Sequence, residues 1–206
     1  SADFFNQDFV NSSNGNTINV CYVGNLFMQN LDRDLLKQLI VEKNENVVYH
    51  FIGTLEPKQS NIAAWVDDES LEFVEFLKTQ KNVICYGVLS PSEVAQKIAV
   101  MDIFLLAYLQ SDENKITNSH KILEYLSTGK VIISTPVEFY QDKSQLIEMV
   151  TTRDQFVAKF HEVLLNLSKF NSTERQDVRF EYAKKNSYES NLILIEESIN
   201  KVMSKK

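Results

Sequence analysis

The chain has 206 residues, with 21 Lys+Arg against 28 Asp+Glu, a formal net charge of −7 and 44% hydrophobic residues. That length suits one domain with a sizeable core, and the acidic balance argues against a general nucleic-acid binder, which carries a basic footprint. No apolar stretch approaches the roughly 18 residues of a membrane-spanning helix.

The opening Ser1-Ala2-Asp3-Phe4-Phe5 lacks the basic and apolar regions of a signal peptide. The chain does not start on Met, which points to an excised or processed chain. Residues 1–17 read as a lead-in, with the polar loop Asn11–Asn16 around Gly15, to a domain spanning 18–206. Ile18–Val23, closed by Gly24, reads as a first strand and contains Cys21. Leu31–Val41 follows with Leu35, Leu36, Leu39 and Ile40 on one helical stripe. Val47–Ile52, ending at Gly53, is the second strand. Asp67-Asp68-Glu69 reads as a solvated helix start before the helical pattern Leu71–Leu77. Val83–Tyr86, ending at Gly87, is the third strand and holds Cys85. Both cysteines lie in apolar runs, where a small buried thiol is the expected state, so the setting is expected to be reducing and cytoplasmic.

Pro91–Ala99 starts as a helix should: Ser90 can cap, Pro91 fits the first turn and Glu93 completes a capping-box spacing. Ile103–Tyr108 is a fourth strand, Ser119–Thr128 a helix stopped by Gly129, and Val131–Ser134 a fifth strand. After Pro136 the strand signal fades, and three helices are expected over Asp154–Ser168, Ser172–Lys185 and Tyr188–Met203. Continuous apolar strands suit a parallel sheet buried on both faces. The alternation with helices predicts an α/β, doubly wound, Rossmann-like parallel sheet flanked by helices, closing on C-terminal helices.

Ligands of such a sheet sit outside the carboxyl ends of the strands, which directs attention to Gly24, Gly53, Gly87, Tyr108 and Ser134. The most informative loop is Asp112–Lys121. Thr117, Asn118 and Ser119 all favour a helix N-cap, and a helix start presents free N–H groups to a phosphate. Lys121 in the first turn opposes the helix dipole unless an anion lies nearby. Glu124, three residues on, shares its face and can accept hydrogen bonds from a ribose diol. Ile122, Leu123 and Leu126 are expected to face the sheet. Spacing alone leaves open a surface Lys121–Glu124 ion pair, worth about 0–1 kcal/mol. Tyr22-Val23-Gly24-Asn25 is not a dinucleotide fingerprint, and no Walker A loop occurs. His50, His161 and Trp65 read as structural, while His120 borders the proposed anion site. With no clustered His/Cys set, no metal is expected.

Asn118–Pro136, with Lys121-Ile122-Leu123-Glu124-Tyr125-Leu126 and Gly129-Lys130-Val131-Ile132-Ile133-Ser134-Thr135 at its centre, resembles the donor-binding segment of GT-B glycosyltransferases of the family 4 type. Tyr22-Val23-Gly24-Asn25-Leu26 resembles the Gly-x-Leu turn after the first donor-domain strand. Asn82–Gly87 with Ser92-Glu93-Val94, Asp102–Tyr108, and Tyr182-Ala183 with Ser187-Tyr188 follow in the family order, so the likeness spans about 18–203. The resemblance implies a domain that binds a nucleoside diphosphate sugar for transfer to a glycan or glycoconjugate, as in polysaccharide biosynthesis. By analogy Glu124 holds the ribose, and Ser119, His120 and Lys121 hold the diphosphate. Gly24 and Asn25 approach the phosphate or sugar through a tight turn, while the loops after Gly87 and Tyr108 border the base. No metal or other cofactor is implied, and leaving-group stabilisation is electrostatic.

Two departures matter. The family glutamate eight residues before Glu124 is Ile116 here, and the cation after Gly24 is replaced by Asn25, with Arg33 and Lys37 as candidate substitutes. The likeness assigns no catalytic residue and leaves the stereochemical outcome open. It also implies an N-terminal acceptor domain for which this chain has no room. Any membrane association is expected through that domain, and the chain by itself is expected to bind donor weakly and transfer poorly. Two other readings stand beside this one: a non-catalytic nucleotide-binding or assembly module of the same fold, and a sugar-nucleotide 2-epimerase, against which the Glu-Tyr-Leu-x-x-Gly-Lys string argues.

Overall fold

The computed structural model describes residues 17–42, 44, 46–57, 66–109, 120–187 and 190. Trp65, Ile116, Ser119, the loop 110–119 and most of the expected helix Tyr188–Met203 lie outside the described residues. Six strands, β1 (Ile18–Val23), β2 (Val47–Ile52), β3 (Val83–Gly87), β4 (Ile103–Leu106), β5 (Val131–Ser134) and β6 (Glu148–Met149), form one sheet in the order β3-β2-β1-β4-β5-β6. Every pairing between them is parallel. The order reverses direction between β1 and β4, the switch point where open α/β sheets form their ligand crevice.

Seven α-helices, α1 (Arg33–Val41), α2 (Asp68–Thr79), α3 (Pro91–Ile98), α4 (His120–Leu126), α5 (Arg153–Leu165), α6 (Leu167–Phe170) and α7 (Thr173–Lys185), and a 3-10 turn at Glu138–Tyr140 have bounds among the described residues. The strand pleat sends alternate residues to two cores. Val20, Tyr22, Ile103, Leu105, Val131 and Ile133 pack with Leu35, Leu39, Phe73, Phe156 and Phe160 from α1, α2 and α5. Cys21, Phe104, Leu106 and Ile132 pack on the other side with Ile98, Ile122, Tyr125, Leu126 and Ala183 from α3, α4 and α7. Burial on both faces is why these strands read as unbroken apolar runs.

The Ser90 helix start holds as read, and side chains cap two further helices. Asp32 caps α1 by accepting from Leu35 N–H at 3.1 Å, and Asp67 caps α2 by accepting from Ser70 N–H at 2.8 Å. The Ser90–Glu93 capping box is complete at α3. Ser127 and Thr128 hydroxyls donate back to the Glu124 and Tyr125 carbonyls at 2.6 and 2.7 Å. They end α4 at Leu126, before the expected Thr128, with Gly129 following at φ +73°.

Several expectations need correction. β4 stops at Leu106, and Tyr108 instead bridges antiparallel to Leu31, because Asp32 N–H donates to the Ala107 carbonyl and Leu109 N–H to the Asn30 carbonyl. Asp154–Ser168 is not one helix: the chain leaves helical geometry at Asn166 (φ −126°, ψ 31°) between α5 and α6. The sixth strand, two residues long and half polar, gives no apolar run to read. Cys21 is fully buried, and desolvation pushes its thiol up, whereas Cys85 on the edge strand is only half-buried. Both are free thiols.

Candidate functional site

Three glycines carry the carboxyl edge of the sheet from β3 to the switch point. Gly53 N–H donates to the Gly87 carbonyl at 2.9 Å, and Gly24 N–H donates to the Ile52 carbonyl at 2.8 Å. Gly24 and Gly53 pass so close that a Cβ on Gly53 would fall on the Gly24 carbonyl. Gly53 (φ +151°) also has a backbone conformation that side chains rarely adopt. Gly87 belongs to this edge but stands two strands from Gly24, and a Cβ on it would make only ordinary contact, with Leu55 at 3.9 Å.

The turn after β1 is held by its own side chains. Asn25 Oδ1 accepts from Phe27 N–H at 3.0 Å and from the Thr54 hydroxyl at 2.6 Å, so this candidate ligand braces the loop on which Gly24 sits. Arg33, entertained as a replacement for the missing cation, is buried and donates to the Leu26 and Met28 carbonyls at 3.4 and 2.8 Å. Its guanidinium faces Glu69 at 3.6 Å. It is a clasp for the β1–α1 loop, not a phosphate cation. Lys37 is half-buried in α1.

The cation at the switch point comes from α4. A Cβ on Gly24 would fall on the Lys121 ammonium. That ammonium lies 5.1 Å from the Tyr22 ring centroid and 6.0 Å from that of Tyr108, with Nζ 3.4 Å from the Tyr108 hydroxyl. Lys121 therefore reaches across to Gly24 and two tyrosines instead of pairing with Glu124, and the surface ion-pair reading fails. Tyr108 is buried, and its backbone N–H donates to the Thr135 hydroxyl at 3.0 Å. Glu124 is half-buried one turn along α4. His120 opens α4, its side chain outside the described residues, as is Ser119. The structure thus gathers Gly24, Asn25, Tyr108 and Lys121 at one place, with Glu124 on the same short helix.

Tyr125 is the residue that sequence reasoning missed. Expected inward, Leu123 is half-buried, and Tyr125 takes the fully buried place with Ile122 and Leu126. Its ring stacks on Phe104 at 4.2 Å, and its hydroxyl accepts from Val23 N–H at 2.8 Å. That bond ties α4 to the last residue of β1 and so sets Lys121 beside Gly24. The signal lay in the Glu-Tyr-Leu string, where a polar hydroxyl sits at an otherwise apolar helical position.

The other histidines are structural. His50 Nδ1 and Nε2 lie 2.9 Å from the Tyr86 hydroxyl and 3.0 Å from Asn19 Oδ1. Burial first, with help from the Lys97 charge, lowers its pKa to about 4, so it is neutral at pH 7. His161 Nε2 meets Glu42 at 2.6 Å, linking α5 to the end of α1. Among the described residues no three His, Cys, Asp or Glu side chains converge as metal ligands, and no helix is long and apolar enough to cross a membrane.

No family model matches the chain. Over 113 residues it is 30% identical to the provisionally assigned teichuronic acid biosynthesis glycosyltransferase TuaH of Bacillus subtilis (strain 168), an alignment covering 47% of this chain and 28% of TuaH. Among solved structures it is similar to Anabaena HepE in complex with UDP-glucose, with a TM-score of 0.67 at 12% identity, over 93% of this chain and 50% of HepE. It is also similar to the C-terminal domain of the LpcC glycosyl transferase group 1 protein from Francisella tularensis, with a TM-score of 0.58 at 14% identity, over 82% of this chain and 85% of that domain. The chain thus spans about half the length of HepE and matches an isolated C-terminal domain along most of its length. Its six-stranded parallel sheet shares a Rossmann-like fold with these solved structures, among them an isolated C-terminal domain of a glycosyl transferase.

Proposed function

We propose that the chain is the donor-binding domain of a glycosyltransferase, which passes a sugar from a nucleoside diphosphate sugar to a glycan or glycoconjugate acceptor. The observation that carries this reading is the Lys121 ammonium held over Gly24 at the β1–β4 switch point. An ammonium seated against backbone lacking a Cβ can meet a phosphate closely, and the carboxyl edge is where such ligands dock. The solved structures of HepE with UDP and with UDP-glucose, in a shared fold, support the ligand class.

In this reading the bond between the anomeric carbon and the diphosphate oxygen breaks, and negative charge grows on the leaving diphosphate. Lys121 offsets that charge from a partly desolvated position, where electrostatic stabilisation is strongest. His120, the first residue of α4, and Ser119, outside the described residues, are assigned to the same diphosphate. Glu124 is assigned to the ribose hydroxyls, Gly24 and Asn25 to the turn beneath the phosphate or sugar, and Gly87 and Tyr108 to the border of the base. No metal or cofactor is needed for these roles. The acceptor class, a surface polysaccharide or glycoconjugate, is supported by the teichuronic acid biosynthesis role named for TuaH. The acceptor site and any membrane association belong, in this proposal, to a second domain.

Calorimetric titration with UDP, GDP and ADP tests the reading. One nucleotide is expected to bind the parent chain and to bind Glu124→Ala at least tenfold more weakly. Binding of none of the three would overturn the proposal in favour of a non-catalytic assembly module.

A further inference from the structure

Tyr22 is 1% exposed, and its hydroxyl has no hydrogen-bond partner among the described residues. Packing does not ask for that oxygen. Its register partner on β2 is Phe51, in the same core, with the two rings 6.0 Å apart. A phenylalanine at position 22 would fill the same space without burying an unsatisfied polar group, which is costly. The hydroxyl is aimed at a particular place: it lies 3.0 Å from the point a Cβ on Gly24 would occupy, the same point on which the Lys121 ammonium falls. Two polar groups from separate elements therefore converge above one glycine.

The way Lys121 is held bears on what they converge for. Among the described residues its neighbours at Gly24 are the faces of Tyr22 and Tyr108 and the Tyr108 hydroxyl, with no ion pair to a carboxylate. Aromatic faces attract an ammonium without cancelling its charge. The full positive charge thus remains available, and beside it stands a phenol that can donate one hydrogen bond. Burial pushes the Tyr22 phenol up, so it stays protonated at every working pH.

We propose that the Tyr22 hydroxyl donates a hydrogen bond to an oxygen of the bound diphosphate, acting with the Lys121 ammonium at the seat above Gly24. The inference rests on the nucleotide-sugar reading and adds a ligand from the core face of β1. It assigns the hydroxyl a partner that the described residues do not supply, and it compensates for the cation missing from position 25 with a donor pair drawn from β1 and α4.

The test compares the full 206-residue chain with Tyr22→Phe. The measurements are thermal unfolding without ligand, titration with UDP, GDP and ADP, and displacement of the bound nucleotide by inorganic pyrophosphate. Tyr22→Phe is expected to keep or raise the Tm, since it removes a buried unpaired hydroxyl. It is expected to weaken the nucleotide and pyrophosphate about tenfold, as loss of a hydrogen bond to a charged group does. In a Lys121→Met background the same step is expected to lose most of its effect. Unchanged affinity in Tyr22→Phe overturns this inference and leaves the nucleotide reading standing. Weakened affinity with a Tm lowered by several degrees assigns the hydroxyl to packing and also overturns it. A parent chain that binds no nucleotide overturns both.

Discussion

Arg179 in α7 offers a test of which force holds the C-terminal helices to the sheet. It is 1% exposed, and it donates to the Leu146, Gly129 and Phe170 carbonyls at 3.2, 3.0 and 2.9 Å. The Gly129 carbonyl lies at the end of α4, so the guanidinium joins α7 to the helix that carries Lys121 and Glu124. Burial, aided by the Arg175 charge, lowers its pKa from 12.5 to about 10. Holding the charge in place therefore costs about 3 kcal/mol. Against that, Arg179→Met strips partners from three buried carbonyls, at about 1–3 kcal/mol each. With the middle of that range, lost hydrogen bonds outweigh recovered desolvation, and the net loss is about 3 kcal/mol. In a domain of this size that lowers the Tm by roughly 6–12 °C. Urea unfolding at pH 7 should show the midpoint fall with the slope unchanged, and Arg179→Lys should lie between parent and Met. A Met variant as stable as the parent, or more so, would refute the reasoning and show that burying the charge costs as much as its three hydrogen bonds return, as happens when some buried ion pairs are replaced by apolar groups.

Gly53→Ala places a methyl on the Gly24 carbonyl and forces a side chain into φ +151°. It should cost about 1–3 kcal/mol in strain and weaken nucleotide binding as Gly24 shifts, read together by denaturation and calorimetry. His50 gives a pH dependence. Its folded pKa of about 4 lies below the ordinary 6.5, so the unfolded state binds the proton first and stability falls as pH drops from 6.5 to 4. The full swing is about 3 kcal/mol. His50→Gln should flatten that part of the stability curve, and an unchanged slope would assign it to other groups.

Much of the frame was legible from local pattern. β1, β2 and β5 have the bounds their apolar runs suggest, because a strand buried on both faces has no polar alternation to blur its ends. The start of α3 is written in Ser90, Pro91 and Glu93, since a capping box is satisfied within four residues. β6 was not legible: Glu148 and Met149 are a strand only because β5 lies beside them. Nor was the break at Asn166, where helical spacing of apolar residues continues across a non-helical backbone.

The candidate site divides along the same line. Which chemistry stands at the strand ends could be read from Gly24, Tyr108, Lys121 and Glu124, because chain order in a doubly wound sheet dictates which loops share an edge. Which way the side chains go could not. Arg33 turned into a loop clasp because two carbonyls lay within its reach. Tyr125 displaced Leu123 from the core because Phe104 and Val23 N–H offered stacking and a donor together. Lys121 and the Tyr22 hydroxyl met above Gly24 from segments about a hundred positions apart. Period and capping are properties of a few neighbouring residues, and a sequence states them outright. A hydrogen bond between distant segments depends on where the sheet brings them, and only the folded chain decides that.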